Sequence, residues 1–158
     1  MESNNLDPTQ YQVLAYVALA MLLGAIIGLD REFAEKPAGL RTHMLVAGAA
    51  ALLVALSNVL VGRFGLSLGS ELVRADPIRI IQAVITGVSF LGAGTIIRHS
   101  SVHHVEGLTT AASILFAAAV GVCVASSQLV LAIGATVLAL VTLRVVPWVE
   151  RRLMRDQN

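Results

Sequence analysis

Charge is what this chain has least of. Only 13% of its 158 residues are Asp, Glu, Lys or Arg, against about 25% in an ordinary soluble domain. Hydrophobic residues make up 56%. That balance excludes a conventional soluble domain and reads as an integral membrane protein. A lone cysteine, Cys123, excludes an internal disulfide, and no Cys/His spacing fits a zinc site. A net charge of +1 gives no electrostatic case for nucleic acid. No Lys or Arg precedes Tyr11, so the basic start of a secretory signal is missing and the first apolar segment reads as a retained span. There is no nucleophile elbow, phosphate loop or His-Glu-x-x-His, which leaves an enzyme as the least supported class.

What is present is apolar sequence in lengths that match a bilayer. Windows of about 20 residues give five spans, at 11–29, 43–62, 79–97, 108–125 and 128–147. The expected fold is an all-α membrane protein in a single domain. Only Ser126 and Ser127 separate the last two spans, which demands a tight hairpin. The longest connection, 63–78, has room for one short interfacial turn at 70–74. With the N-terminus outside, eight Lys and Arg fall on the inner face and three on the outer. The positive-inside bias therefore places the C-terminus in the cytoplasm. Arg144 sits one turn inside the last span and can snorkel inward, with Trp148 at the same boundary. Only about ten residues follow that span, so no soluble domain is expected after it.

The spans are rich in Gly and Ala. Gly24 and Gly28 have the spacing of a close-contact face between helices. A shift of 68 residues lays the first two spans on the third and fourth. Gly24 then meets Gly92, Gly39 meets Gly107, and Thr42 meets Thr110. The expected architecture is two parallel-repeat hairpins, 11–62 and 79–125, plus an unpaired fifth helix. In each turn a Gly-Leu-x-Thr sequence stands where a helix begins. Thr42 and Thr110 are candidate N-caps or first-turn residues, and Gly39 and Gly107 permit unusual entry angles. Pro37 stiffens the first approach. Gly92, Gly94 and Thr109 belong to the second turn.

Six charged residues fall within twelve positions, from Asp30 to Arg41. Asp30 and Glu32 stand at the C-terminal end of a helix, where the macrodipole disfavours carboxylates by roughly 0.3–1 kcal/mol each. Two readings follow. One is an ion-pair lock drawing on Arg31, Arg41 and Arg98, with Thr42 and His43 beside it. The other is a Mg2+ or proton site at Asp30 and Glu32, with Glu35 nearby, since magnesium needs few carboxylates and keeps several waters. No other cofactor is expected.

Within the spans, ionisable groups are almost absent, which counts against a carboxylate relay. Ser57, Asn58, Thr86, Ser89, Thr95, Ser113, Thr136 and Thr142 are read as interhelical hydrogen-bonding residues. His99, His103 and His104 lie in the second turn. His99 and His103, four apart, have helix-face spacing, although a solvated loop is the simpler reading. Cys123 reads as a packed thiol.

Three motifs now stand together: Gly-Leu-Asp-Arg-Glu-Phe through Lys-Pro-Ala-Gly-Leu-Arg-Thr-His at 28–43, Phe-Leu-Gly-Ala-Gly-Thr-Ile at 90–96, and Gly-Leu-Thr-Thr-Ala-Ala-Ser at 107–113. In combination they resemble the MgtC/SapB family of bacterial inner-membrane proteins. The resemblance implies about five spans, a part in adaptation to low magnesium and in virulence, and contacts with other membrane proteins such as the F-type ATP synthase. Many members carry a C-terminal ACT-like domain, and this chain resembles the transmembrane core alone. Members usually have Glu where this chain has Asp30.

The reading that follows is a non-catalytic membrane protein. It would act in magnesium or membrane-energy homeostasis through helix contacts with itself, as a dimer or larger homo-oligomer, or with another membrane protein. The alternative is a magnesium or other cation transporter or channel with Asp30 and Glu32 at its cytoplasmic mouth.

Overall fold

Five helices carry most of the chain in a computed structural model that describes residues 8–68, 77–99 and 104–155. They are α1 (Pro8–Phe33), α2 (Leu40–Leu68), α3 (Pro77–Ala93), α4 (Leu108–Ala125) and α5 (Leu129–Arg155). Thr9–Phe33, Leu40–Val61, Leu108–Ala125 and Leu129–Val149 are long and apolar enough to cross a membrane, and Ile78–Ala93 is a shorter apolar helix. The expected turn at 70–74 lies outside the described residues.

The all-helical expectation needs one amendment. Between α3 and α4 runs a small antiparallel hairpin, β1 (Ile97–His99) and β2 (His104–Glu106), with Arg98 opposite Val105 and His99 opposite His104. Helix α3 therefore stops short of residue 97. Gly92 and Gly94 lower helix propensity there, and the chain tightens into i→i+3 bonds, Thr95 N to Gly92 O at 2.9 Å and Ile96 N to Ala93 O at 3.2 Å. With His99 in a strand, its helix-face pairing with His103 is lost, and His103 itself lies outside the described residues.

Helix α4 is the hub and packs against all four other helices. Half of its apolar window is buried, against 17% for α5. Its small residues explain this. A Cβ at Gly121 would collide with the Ala47 carbonyl of α2, so only glycine permits that approach. The main core gathers Leu23, Ile27, Ala47, Val54, Val120 and Val124, among others. A second cluster, including Ala50, Val84, Ile114 and Ala118, joins α3 to it.

The Gly24 and Gly28 face is used within the chain. A Cβ at Gly24 would lie 2.5 Å from the His43 carbonyl oxygen, and one at Gly28 would lie 2.7 Å from Leu40 Cα. The 68-residue shift reappears as contacts. Gly24 faces residue 43, and Gly92 faces Ala111. Gly28 faces Gly39, and Ile96 faces Gly107.

Two helices end in left-handed residues that are not glycine. Glu35 (φ 52°) closes α1, with Lys36 N on Arg31 O and Glu35 N on Glu32 O, both at 3.0 Å. Ser127 (φ 60°) closes α4 in the same way, through Gln128 N on Cys123 O and Ser127 N on Val124 O. This six-to-one, five-to-two pattern satisfies the last carbonyls of each helix. It also makes the tight α4–α5 turn that two serines require.

Candidate functional site

Asp30 occupies the last turns of α1 and is buried, 6% exposed, beside an equally buried Arg31. Both of its carboxylate oxygens are taken. Arg31 Nη2 donates to Oδ2 at 2.7 Å, with Nε at 3.2 Å from the same oxygen. Arg144 Nε, from α5, donates to Oδ1 at 2.6 Å. A carboxylate at a helix C-terminus faces the negative end of the macrodipole, and the two guanidinium groups offset that penalty. The pairing fastens the first helix to the last.

Glu32 does something else. Its Oε2 accepts the Leu40 backbone N–H at 2.8 Å. It thus caps α2 from across the turn, satisfying a donor that no intrahelical carbonyl reaches. Residues two apart on a helix point to different faces, so Asp30 and Glu32 do not converge. Among the described residues no three His, Cys, Asp or Glu side chains come together as a metal site. A Cβ at Gly39 would run into the Glu32 carboxylate, which would have to shift.

The remaining expected residues divide. Arg41 is exposed and makes no ion pair among the described residues. Arg98 sits in β1, and nothing is described of its side chain. The partners expected for Asp30 are thus corrected in part: Arg144, not Arg41, joins Arg31 on its carboxylate. Thr42 and Thr110 are not N-caps. Each is the third residue of its helix, and α4 begins after Gly107 (φ 90°) with no side-chain cap. Gly94 lies in the turn after α3, and Thr109 is exposed at the start of α4.

His43 leaves the charge cluster altogether. It is fully buried between α2 and α4. Its Nδ1 lies 2.8 Å from the Gly39 carbonyl and its Nε2 lies 3.0 Å from Ser113 Oγ. A carbonyl can only accept, so Nδ1 carries a proton. In the neutral ring Nε2 then accepts from the Ser113 hydroxyl. Ser113 also lies 2.8 Å from the Thr110 carbonyl, and one hydroxyl proton serves one acceptor at a time. This is the interhelical bond of the α2–α4 seam. Ser57, Thr86, Thr95, Thr136 and Thr142, expected to bond between helices, instead donate to carbonyls three or four residues back.

A cavity of about 1230 Å³ opens at this end, lined among others by Asp30, Lys36, Thr95, Glu106, Thr110 and Arg144. Trp148 borders it, with Arg152 stacked 4.6 Å from the indole centroid. A smaller cavity of about 300 Å³ lies at the opposite end, beside Gln12, Tyr16, Asn58 and Ser127. There Gln12 Nε2 donates to the Tyr16 hydroxyl, and Tyr16 and Ser127 share a 2.9 Å bond. The two cavities have no lining residue in common. Along α1, buried Ala20, Leu23 and Ile27 separate them.

These features define a multi-pass helical membrane protein whose first and last helices are joined by an ion pair between the buried Asp30 and the exposed Arg144. The MgtC family model matches residues 17–152, and the chain belongs to that family. It is 36% identical over 152 residues to an uncharacterized protein of Haemophilus influenzae, covering 96% of this chain and 63% of that one. It is 32% identical to Protein SapB of Bacillus subtilis, over 96% of this chain and 62% of the relative. It is 37% identical to the protein of Escherichia coli K12 called "Putative magnesium transporter YhiD", over 90% and 63%. The chain thus spans a little under two thirds of the length of these relatives. No solved structure matches it.

Proposed function

We propose that the chain is a non-catalytic protein of the bacterial inner membrane. It acts in magnesium or membrane-energy homeostasis, including the virulence-associated adaptation to low magnesium, through contacts with other membrane proteins of the F-type ATP synthase kind. The charged end faces the cytoplasm, as the Lys/Arg bias requires. The observation that carries this reading is the closed state of Asp30. Both oxygens are held by guanidinium groups, so the acid serves as a fastener between α1 and α5. The apolar layer of Ala20, Leu23 and Ile27 between the two cavities supports the same reading.

A transport reading draws on the name given to the Escherichia coli relative and on the place of Asp30 in the wall of the larger cavity. Ion flux into proteoliposomes containing only this protein separates the two. The contact reading expects no magnesium flux above that of empty vesicles. Magnesium flux that disappears in Asp30→Asn would overturn it.

A further inference from the structure

Helices α2 and α4 both begin at the charged end, and their first N–H groups are treated differently. A helix start leaves N–H groups that no intrahelical carbonyl reaches. At α2 the Leu40 N–H is taken by Glu32 Oε2 at 2.8 Å. The 68-residue shift sets Leu108 on Leu40, and where the first half has Glu32 the second has Ser100. Helix α4 follows Gly107 with no side-chain cap. Among the described residues no acceptor serves the N–H groups of Leu108, Thr109 and Thr110. All three residues line the cavity of about 1230 Å³. A buried hydroxyl opens onto the same space. Thr110 is 2% exposed, and its hydroxyl has no partner among the described residues. The other buried hydroxyls, those of Ser113 and Thr136, each reach a carbonyl of their own helix. No sealed side-chain oxygen among the described residues lacks a partner. The Thr110 hydroxyl therefore keeps contact with open space, and the space beside it is the cavity.

The rest of the wall narrows the ligand. Lys36 lines it, exposed and without an ion pair among the described residues. Arg144 lines it too, bonded to Asp30 through Nε with a side chain 68% exposed. Two acids, Glu35 and Glu106, stand in the same wall, both exposed and unpaired among the described residues. Formal charges therefore cancel, Arg31, Lys36 and Arg144 against Asp30, Glu35 and Glu106. A plain anion would gain at the start of α4 and lose at the two acids. A ligand carrying both signs suits both parts of the wall. The cavity also reaches the lipid side, since Val145 and Trp148, exposed on α5, border it.

We propose that this cavity binds a phosphate ester that carries an amine, of the phosphoethanolamine kind. The phosphate sits on the start of α4. Its oxygens accept from the N–H groups of Leu108, Thr109 and Thr110 and from the Thr110 hydroxyl, with Lys36 and Arg144 as counter-charges. The ammonium faces Glu35 and Glu106. In the first hairpin the Glu32 carboxylate already fills the equivalent place, so the ligand supplies from outside what that hairpin carries in its own chain. Three N–H groups, a hydroxyl and two cationic side chains offer more donors than the two oxygens of a carboxylate accept, which favours phosphate. A phospholipid headgroup and a soluble phosphoethanolamine share this chemistry. The site goes beyond the contact reading and stands whether or not that reading holds.

The test uses the full chain, purified in an uncharged, phosphate-free detergent, and reads dissociation constants by titration calorimetry. O-Phosphoethanolamine probes the soluble source and a short-chain phosphatidylethanolamine the lipid source. Saturable binding of either is expected, and the tighter of the two identifies the source. Thr110→Val removes the hydroxyl, keeps the side-chain shape and should weaken that binding about tenfold. Lys36→Gln, at an exposed position, should weaken it about threefold. Glu106→Gln should weaken binding of the amine ligand and spare that of glycerophosphate. Thr86→Val, whose hydroxyl bonds its own helix, should change nothing. Thermal denaturation checks that Thr110→Val is folded, and Lys36→Gln carries the test if it is not. Absence of binding from both sources, equal binding of acetate or glycerophosphate, or an affinity that neither Thr110→Val nor Lys36→Gln alters would each overturn the proposal. None of these outcomes bears on the flux assay.

Discussion

The hairpin of α1 and α2 and the hairpin of α3 and α4 are built on one pattern and finished in two ways. The offset of 68 residues preserves which backbones touch, Gly24 on residue 43 and Gly92 on residue 111. It does not preserve how tightly they touch. A Cβ at Gly24 would press into a backbone carbonyl at 2.5 Å, whereas one at Gly92 would sit 3.4 Å from a methyl group. The first turn is closed by acids, with Asp30 on Arg31 and Arg144 and Glu32 on the start of α2. The second turn has no side-chain cap and closes instead with a strand pair and a left-handed glycine. The same pairing of backbones can thus be retained while its tightness and the means of securing it change.

The sharpest way to break this contrast is Asp30→Ala. It leaves Arg31 buried without its carboxylate, and removing one partner of a buried pair costs about 3–5 kcal/mol. Thermal denaturation in detergent should show the loss, together with release of α5 from α1. The paired substitutions Gly24→Ala and Gly92→Ala come next. The first overpacks a backbone contact and should cost about 1–3 kcal/mol. The second has ordinary contact distance and should change stability by less than about 0.5 kcal/mol. Equal effects would mean that the hairpins are equally tight. Gly107→Ala combines a left-handed φ with a collision on the Thr95 carbonyl and should cost at least about 1–2 kcal/mol. Gly39→Ala meets only the movable Glu32 side chain and should cost less. Glu32→Ala removes a cap and should cost about 0.5–2 kcal/mol. Smallest is Glu35→Gly, which relieves a left-handed residue and should raise stability by up to about 1 kcal/mol.

Helices and their close contacts were legible because both are written locally. Apolar windows mark the spans, and the equal distances from Gly24 to Gly39 and from Gly92 to Gly107 mark equivalent approaches. Partners distant in sequence were not legible. Arg144 lies 114 positions from Asp30, and no periodicity connects them. The divergence of Asp30 and Glu32 could have been read directly, since positions two apart cannot share a helix face. The strands β1 and β2 are three residues each, too short for alternation to register. Thr86 and Ser89 of α3 were read as bonding between helices, but sequence alone does not say whether their face turns inward. Only the packing of Val84 and Gly92 shows that it turns out.

The bond between Asp30 and Arg144 has a consequence in time as well as in space. Ribosomes add about 5–20 residues per second, so the first helix waits on the order of ten seconds for its last cation to be synthesised. During that interval Asp30 has only its neighbour Arg31, and α1 and α2 hold together through their glycine contacts, their shared apolar core and the Glu32 cap. Arrival of α5 brings the second guanidinium and ties the fifth helix to the first. The contact between α1 and α5 can therefore form only after the fifth helix has been made.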